Sequence, residues 1–479
     1  MLKLTPLLFL LFSFHGLVAQ KPDNFIIILI DDMGAGDLGF MGAEDMLTPN
    51  IDKLASEGSW MQQGYVTSSV CGPSRAGLIS GRYQDRFGIC GNFGAQSTKG
   101  FPLNQPMLQD YLKAAGYKTG AIGKWHFGLA EDHFKPHHRN FDYFYGFYAG
   151  GHSYYEAAST YEEAKGKDQW PIHRNVNGIE GIVDYKKGNY LTDEFSREAV
   201  EFIERNAEEP FFLYLAYNAV HYPWDAPQSY LDRVDEFREY TLPYRRILAG
   251  MTLAIDDGVG AIMEMLREKG IEENTAIVFL SDNGSPRTIN SPHTYNTGDI
   301  TMSKTGGLRG YKGDTYEGGI RVPFIIKWPG QVPAGQSYPH PVISLDIVPT
   351  FLAHAGISPS TDLDGVNIIP HLQGKTTERP HENLYWRYMD DYAYRKGDWI
   401  ITWNDQENYM KKLPKEEVRT KLFHLSADPA QKENQRNREE SIYQNLQAEF
   451  DSLDLCFPEK EFPMLFPVPY TRKKEIFVP

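Results

Sequence analysis

The densest concentration of reactive side chains in this chain is Cys71-Gly72-Pro73-Ser74-Arg75-Ala76-Gly77-Leu78-Ile79-Ser80-Gly81-Arg82, a thiol four residues ahead of a guanidinium. Acidic and amide groups stand at two other places. Asp31-Asp32 follows the apolar run Asn24 to Ile30, and Asp282-Asn283-Gly284 follows the run Ala276 to Leu280. Polar residues at the carboxyl end of a buried strand sit where open α/β sheets build their sites. Cationic and imidazole groups occur in Gly123-Lys124-Trp125-His126, Ala219-Val220-His221 and Gly310-Tyr311-Lys312. Carboxylate and amide oxygens are the donors hard divalent cations take, and fixed lysine and arginine charges hold anions.

Each group also has a plainer reading. A single cysteine is often a buried, inert one. Asp31-Asp32 fits a cap or turn pair, and Asp282-Asn283-Gly284 fits a turn. Asn283-Gly284-Ser285 also spells a glycosylation sequon, which competes with a ligand role for the same amide. His126 and His221 taken singly read as structural histidines, and Lys304 competes with Lys312 for any pocket near them. His133, His137 and His138 read as a solvated loop, and Asp37 and Gln62 carry no assigned role.

The elements that would position these residues alternate between helix and strand. Asn24 to Ile30 is a continuous β-branched run suited to a strand covered on both faces. Thr48-Pro49 opens a short helix. Met107, Leu108, Tyr111, Leu112 and Ala115 form a helical stripe stopped by Gly116, and Lys118 to Ile122 is the next strand. Phe195, Ala199, Phe202 and Ile203 form another stripe before the strand Phe211 to Ala216. A long helix is expected over about Leu242 to Lys269, with strands at Ala276 to Leu280 and Val322 to Lys327. This order predicts an α/β fold with a mostly parallel sheet sandwiched by helices, spanning residues 20–356. Gly150 to Asn189 reads as a loop-like insertion. Residues 357–479, with a hairpin-like stretch from Glu382 to Asn404 and a polar helix near Glu439 to Leu453, read as a smaller α+β C-terminal subdomain.

At 479 residues the chain is long enough for a sizeable core, and 13% aromatic content excludes wholesale disorder. Lys+Arg total 48 against 63 Asp+Glu, and the net charge of −15 argues against a protein that coats nucleic acid or anionic membrane. Residues 1–19 read as a signal peptide: Lys3, then an apolar stretch from Leu7 to Val18, then Leu17-Val18-Ala19 as a cleavage region. The expectation is export to a periplasmic or extracellular space, without stable membrane insertion. Cys71, Cys90 and Cys456 are few for an exported chain, and an odd count leaves at least one outside any internal disulfide.

The segment from Cys71 to Arg82 resembles the signature of the formylglycine-dependent (type I) sulfatases, Cys-x-Pro-Ser-Arg with a Thr-Gly-Arg-like close, Ser80 standing where threonine is more usual. The resemblance runs from about Asn24 to Lys421-Leu422-Phe423-His424-Leu425 and Asp428-Pro429. It implies an alkaline-phosphatase-like fold and conversion of Cys71 by a maturation enzyme to formylglycine (3-oxoalanine), whose hydrated aldehyde is the nucleophile. It further implies Asp31, Asp32, Asp282 and Asn283, with residue 71, as ligands of a divalent cation, Ca²⁺ in preference to Mg²⁺. Arg75, Lys124, His126, His221 and Lys312 then carry catalysis, His221 as first candidate for the leaving-group acid with Lys312 nearby, and His126 as a base for release of sulfate.

The expected activity is hydrolysis of sulfate esters on a sulfated oligo- or polysaccharide. His152, Tyr154, His173, Arg174 and Arg387 are the candidate substrate contacts, because sugars stack on aromatic rings and arginine forks onto sulfate or carboxylate. The rival readings are a phosphonate or phosphate ester hydrolase on the same scaffold, and a non-catalytic binder of sulfated glycans.

Overall fold

Every residue of the first strand, Asn24–Ile30, is buried, because it runs through the middle of the molecule with packed layers on both faces. Ile26, Ile28 and Ile30 face one core, shared with helices Leu191–Asn206 and Pro243–Glu268. Phe25, Ile27 and Leu29 face the other, shared with helices Cys71–Ser80, Leu108–Ala114 and Ile347–His354. Each such aliphatic side chain removed from water contributes about 1.5–3 kcal/mol. These details come from a computed structural model that describes residues 23–94, 97–164, 167–185, 188–286, 302–404 and 420–458. The signal-like segment 1–19 lies outside the described residues.

In chain order the strands are β1 (Asn24–Ile30), β2 (Ser59–Met61), β3 (Gly64–Tyr65), β4 (Lys118–Lys124), β5 (Tyr143–Phe147), β6 (His173–Val176), β7 (Ile179–Ile182) and β8 (Phe211–Ala216). They continue with β9 (Thr275–Ser281), β10 (Phe324–Lys327), β11 (Gln336–Tyr338), β12 (Val342–Ile343), β13 (Asn383–Tyr388), β14 (Asp391–Lys396), β15 (Trp399–Trp403) and β16 (Lys421–His424). Ten of them form one sheet in the order β11-β2-β10-β9-β1-β8-β4-β5-β6-β7. The centre, β9-β1-β8-β4-β5, is wholly parallel, so its strands end on one side of the molecule. The predicted sandwich is therefore what forms, with antiparallel pairings outside that centre and one further parallel pair, β11 with β2.

One of those additions corrects the loop-like reading of Gly150 to Asn189. Within it β6 and β7 make an antiparallel hairpin that extends the sheet beyond β5. The turn is Asn177-Gly178, both at positive φ (51° and 88°), the pairing a two-residue hairpin requires. That Asn-Gly was a readable signal, masked by the Tyr- and Gly-rich residues around it. Among the three histidines read as a solvated loop, His133 and His138 are exposed but His137 is half-buried, 3.9 Å from Glu180.

β13 to β16 form a separate antiparallel sheet. Strand alternation gives it two apolar faces. Leu384, Trp386, Ala393, Ile400 and Phe423 pack on Tyr65, Tyr316, Ile320, Ile343 and Leu345 of the main body. Tyr385, Tyr392, Tyr394, Ile401 and Leu422 pack under helix Glu440–Asp454. The main body continues past residue 356, since Ile368, Ile369 and Leu372 are buried in the core of Phe25 and Phe351. The C-terminal unit thus begins close to β13.

The two parts are joined by a buried ion pair, His381 Nε2 to Asp346 Oδ1 at 2.8 Å. Burial alone would depress the imidazole, but the Asp346 carboxylate outweighs it and holds His381 above the usual histidine value. A raised histidine value stabilises the fold fully below the unfolded value and loses that contribution as pH rises through the folded one. Thermal melts should therefore show the parent losing stability from about pH 6.5 upward, by at most ~1.4 kcal/mol per pH unit, with His381→Asn showing a flatter profile. Equal slopes for the two proteins would refute this.

Candidate active site

Adjacent parallel strands deliver the reactive residues to one place. β1 ends at Asp31-Asp32, β9 at Asp282-Asn283, β4 at Lys124 with His126 two residues on, and β8 leads into the turn Asn218 to His221. Cys71 opens helix Cys71–Ser80, and the amide of Gly72 is held by Asn92 Oδ1 at 2.8 Å. A helix N-terminus carries partial positive charge and favours an anion in front of it.

The buried charges interlock. Lys124 Nζ donates to Asp31 Oδ2 at 2.6 Å, and Cys71 Sγ lies 3.5 Å from Asp31 Oδ1. Arg75 is fully buried: Nε and Nη2 both reach Asp282 Oδ2 at 2.8 Å, and Nη1 donates to the Lys124 carbonyl at 3.1 Å. Lys312 Nζ donates to Asp32 Oδ1 at 2.5 Å. Lys304 points elsewhere, to Asp45 at 2.6 Å, so of these two lysines it is Lys312 that joins Lys124 in the site. His221 Nε2 stands 3.8 Å from Asp32 Oδ2, while its Nδ1 lies 2.6 Å from the Tyr222 carbonyl and donates to it.

One side-chain atom each of Asp31, Asp32, Cys71 and His221 lies within 4.8 Å of the others. Asn283 is fully buried, which removes the sequon reading. Its Nδ2 donates to Asp32 Oδ1 at 2.8 Å and to the Gly284 carbonyl at 3.0 Å, leaving Oδ1 with no partner in the protein. An orphaned buried amide oxygen on a residue bonded to Asp32, next to the clustered donors of Asp31, Asp32 and Cys71, is what a hard divalent cation would satisfy. The donor set fits Ca²⁺ or Mg²⁺.

Burial pushes the Cys71 thiol up to about 12, so as encoded it is a protonated thiol at neutral pH. Burial, reinforced by Lys124 and Arg75, holds His126 well below the ordinary histidine value, and its Nδ1 has no hydrogen-bond partner. Burial, then Lys312, bring His221 down to about 4. Both imidazoles are neutral before an anion arrives. Burial works against Lys312, but Asp32 outweighs it and raises the ammonium well above its usual value.

Each candidate substrate contact already has a partner in the protein, and Arg174 is the one that stays exposed. His152 has Nδ1 on the Ser153 carbonyl and Nε2 on the Trp170 carbonyl, each at 2.6 Å. His173 sits between Glu180 at 2.8 Å and the Tyr161 hydroxyl at 2.9 Å. Arg174 pairs with Glu198 and covers the Tyr145 ring, and Arg387 pairs with Asp454 at 2.6 Å. Tyr154 is buried, its hydroxyl on main-chain carbonyls. The structure does not bring these five into the cluster as free groups.

Sequence reasoning gave no role to the spacing glycines. A Cβ at Gly150 would lie 2.7 Å from His126 Nε2, so only glycine lets the chain pass the imidazole there. It also left Asp37 unassigned. Asp37 is buried, pairs with Arg245 and accepts the amide of Lys304 at 2.8 Å, so it pins the 302–304 segment to the loop that carries Asp31 and Asp32.

A mixed sheet presenting carboxylates, cations and a helix-terminal cysteine at the carboxyl ends of its central parallel strands fits a hydrolase of anionic esters. The sulfatase family profile matches residues 23–357, and a profile described as N-sulphoglucosamine sulphohydrolase, C-terminal, matches residues 311–454. The human N-acetylgalactosamine-6-sulfatase is 31% identical over 461 residues, covering 86% of this chain and 81% of that protein. The Escherichia coli protein described as uncharacterized sulfatase YdeN is 32% identical over 442 residues, 81% of this chain and 70% of its own. The crystal structure of Ps i-CgsB superposes with a TM-score of 0.80 at 32% identity, over 92% of this chain and 95% of that one. That protein has also been solved in complex with k-i-k-neocarrahexaose. The chain belongs to the sulfatase family, and it is a sulfuric ester hydrolase.

Proposed function

We propose that the protein removes sulfate from a sulfated oligo- or polysaccharide after export from the cytoplasm, with residue 71 matured to formylglycine and Ca²⁺, in preference to Mg²⁺, bound beside it. The observation that carries this reading is the convergence of Cys71, Asp31 and Asp32 within 4.8 Å, next to the orphaned Asn283 Oδ1 and ringed by Arg75, Lys124 and Lys312. The glycan-bound Ps i-CgsB supports a carbohydrate substrate, and the signal-like residues 1–19 support export.

Asp31, Asp32, Asp282 and Asn283 would hold the cation, which supplies charge neutralisation for the sulfate oxygens and the nucleophile. The formylglycine hydrate supplies the attacking hydroxyl that a protonated thiol cannot, and a separate maturation enzyme is required because a cysteine does not oxidise itself selectively to an aldehyde. The chain's own residues do the rest. Lys124, Lys312 and the N-terminus of helix Cys71–Ser80 face the charge that grows on the sulfuryl oxygens, already oriented before reaction. Arg75 fixes Asp282, and with it the loop that carries Asn283. His221 exchanges its proton at Nε2, since Nδ1 is committed to Tyr222. An arriving sulfate ester anion opposes the effect of Lys312 and favours the proton on Nε2, where it can pass to the leaving oxygen. His126, neutral and buried, is placed to accept a proton as sulfate departs.

The test is mass spectrometry of the peptide containing residue 71, from protein made alongside a maturation enzyme. It is followed by assays on sulfated and phosphorylated oligosaccharides before and after chelation and Ca²⁺ return. The expected result is an aldehyde at residue 71, sulfate release that chelation stops and Ca²⁺ restores, and little phosphate release. Full activity with an intact cysteine would sink the formylglycine reading. Preference for phosphate esters would move the phosphoester hydrolase to the front.

A further inference from the structure

We infer that Tyr154 is a positioning residue for His221, and that it acts through a single hydroxyl shared between two main-chain carbonyls. This rests on the reading of His221 as a participant in sulfate ester cleavage.

The turn that carries His221 is short and held at a few points. His221 N donates to the Asn218 carbonyl at 2.9 Å, Val220 N to the Asp31 carbonyl at 2.8 Å, and Asp31 N to the Ala219 carbonyl at 3.1 Å. The Asn218 carbonyl thus already accepts one bond within the turn, and a second donor binds it to the His221 carbonyl at the other end. Tyr154 reaches both: its hydroxyl lies 2.9 Å from Asn218 O and 2.7 Å from His221 O. A phenol has one proton, so the two acceptors share it, and a shift of either end of the turn weakens the bond to the other. The imidazole follows its own main chain, because Nδ1 is tied to the adjacent Tyr222 carbonyl. The location of Nε2 relative to Asp32 is therefore set by the backbone that Tyr154 grips.

Tyr154 is itself firmly seated. Its carbonyl accepts from Leu191 N at 2.9 Å, at the start of helix Leu191–Asn206, and its ring stacks on Tyr190 with centroids 5.4 Å apart. The side chain is 1% exposed, so water does not compete for the hydroxyl. The stretch from Gly150 to Asn189 thus contributes to the site from behind, bracing the turn of His221 against a helix of the main core. Residue type alone suggested a sugar-stacking ring, but the ring is closed off from any ligand.

The experiment is a double-mutant cycle on the matured enzyme, with formylglycine content and thermal midpoint measured for every variant. Tyr154→Phe keeps the ring and its stacking and deletes only the shared donor. It should lower kcat about 10- to 100-fold while KM stays within about threefold, the pattern of a misplaced catalytic group and not of lost binding. In a His221→Ala background the same change should have no further effect on kcat. Tyr185→Phe is the control: its hydroxyl bonds the Tyr154 carbonyl at 3.2 Å and the Asn189 carbonyl at 3.0 Å but not the turn, and the rate should stay at the parental value. A Tyr154→Phe enzyme as fast as the parent would overturn the inference. So would an equal loss in the His221→Ala background, or an equal loss from Tyr185→Phe. Parental activity in His221→Ala alone is a separate result, and strikes the role of His221 in the reaction.

Discussion

Cys71→Ser should lower kcat/KM by on the order of 10⁵-fold while leaving the folded protein intact, the scale seen when a covalent nucleophile is removed from a preorganised site. The two side chains are nearly isosteric, and residue 71 is 1% exposed in a shell where a hydroxyl can bond Asp31 Oδ1 as Sγ does at 3.5 Å. The thermal midpoint should therefore shift by no more than about 2 °C, since no cavity opens and no charge is stranded. This pairing of near-total inactivation with near-unchanged stability separates a chemical role from a packing one. A buried inert cysteine would give the opposite pattern, full rate with a small stability change. The measurement is sulfate release alongside thermal unfolding of the same preparations, with the residue-71 peptide mass confirming what stands at that position.

Arg75→Met is the second large effect, and it falls on stability and rate together. The guanidinium is wholly buried and binds Asp282 Oδ2 through two nitrogens at 2.8 Å, with Asp31 3.9 Å from Nη2. Methionine fills much of the volume but removes the charge, leaving the buried Asp282 without its guanidinium partner. Breaking one partner out of a buried pair costs about 3–5 kcal/mol, because the remaining charge keeps its desolvation penalty without its compensation. On a chain of this length that corresponds to a fall of roughly 3–5 °C in thermal midpoint. Activity should be lost with it, since Asp282 leads directly into Asn283. Arg75→Lys should recover part of the stability and little of the rate, because an ammonium restores charge but cannot reproduce the fork onto the carboxylate and the Lys124 carbonyl. An Arg75→Lys enzyme as fast as the parent would argue that charge alone, and not the fork, is what the site uses.

The parallel centre of the fold was readable from residue type alone. The run at Asn24 to Ile30, the stripe Phe195 to Ile203 and the strand Ala276 to Leu280 are patterns whose burial has a single geometric solution. The polar ends of those runs pointed to the site for the same reason. What stayed hidden depends on contacts between distant residues. Lys304 and Lys312 stand in the same glycine-rich stretch, and only the fold shows that one meets Asp45 and the other Asp32. His152, His173, Arg174 and Arg387 have the chemistry of sugar binders, but each already bonds a partner in the protein, Trp170, Glu180, Glu198 and Asp454, 15 or more residues away in all cases but one, and of the four Arg174 keeps an exposed guanidinium. Residue type tells what a side chain can bond, not what has already bonded it.

The central position of β1 bears on how the chain reaches this structure. Asn24 is bonded to partners 187 and 251 positions further on. A seven-residue stretch with no charge and almost no polarity must therefore wait, unpaired, until β8 and then β9 have been synthesised. Contacts of such long range are slow to form, and segments of this composition self-associate when left exposed. Recovery of soluble protein should thus be governed by how well that strand is shielded during synthesis, a kinetic demand that the stability of the finished sheet does nothing to relieve.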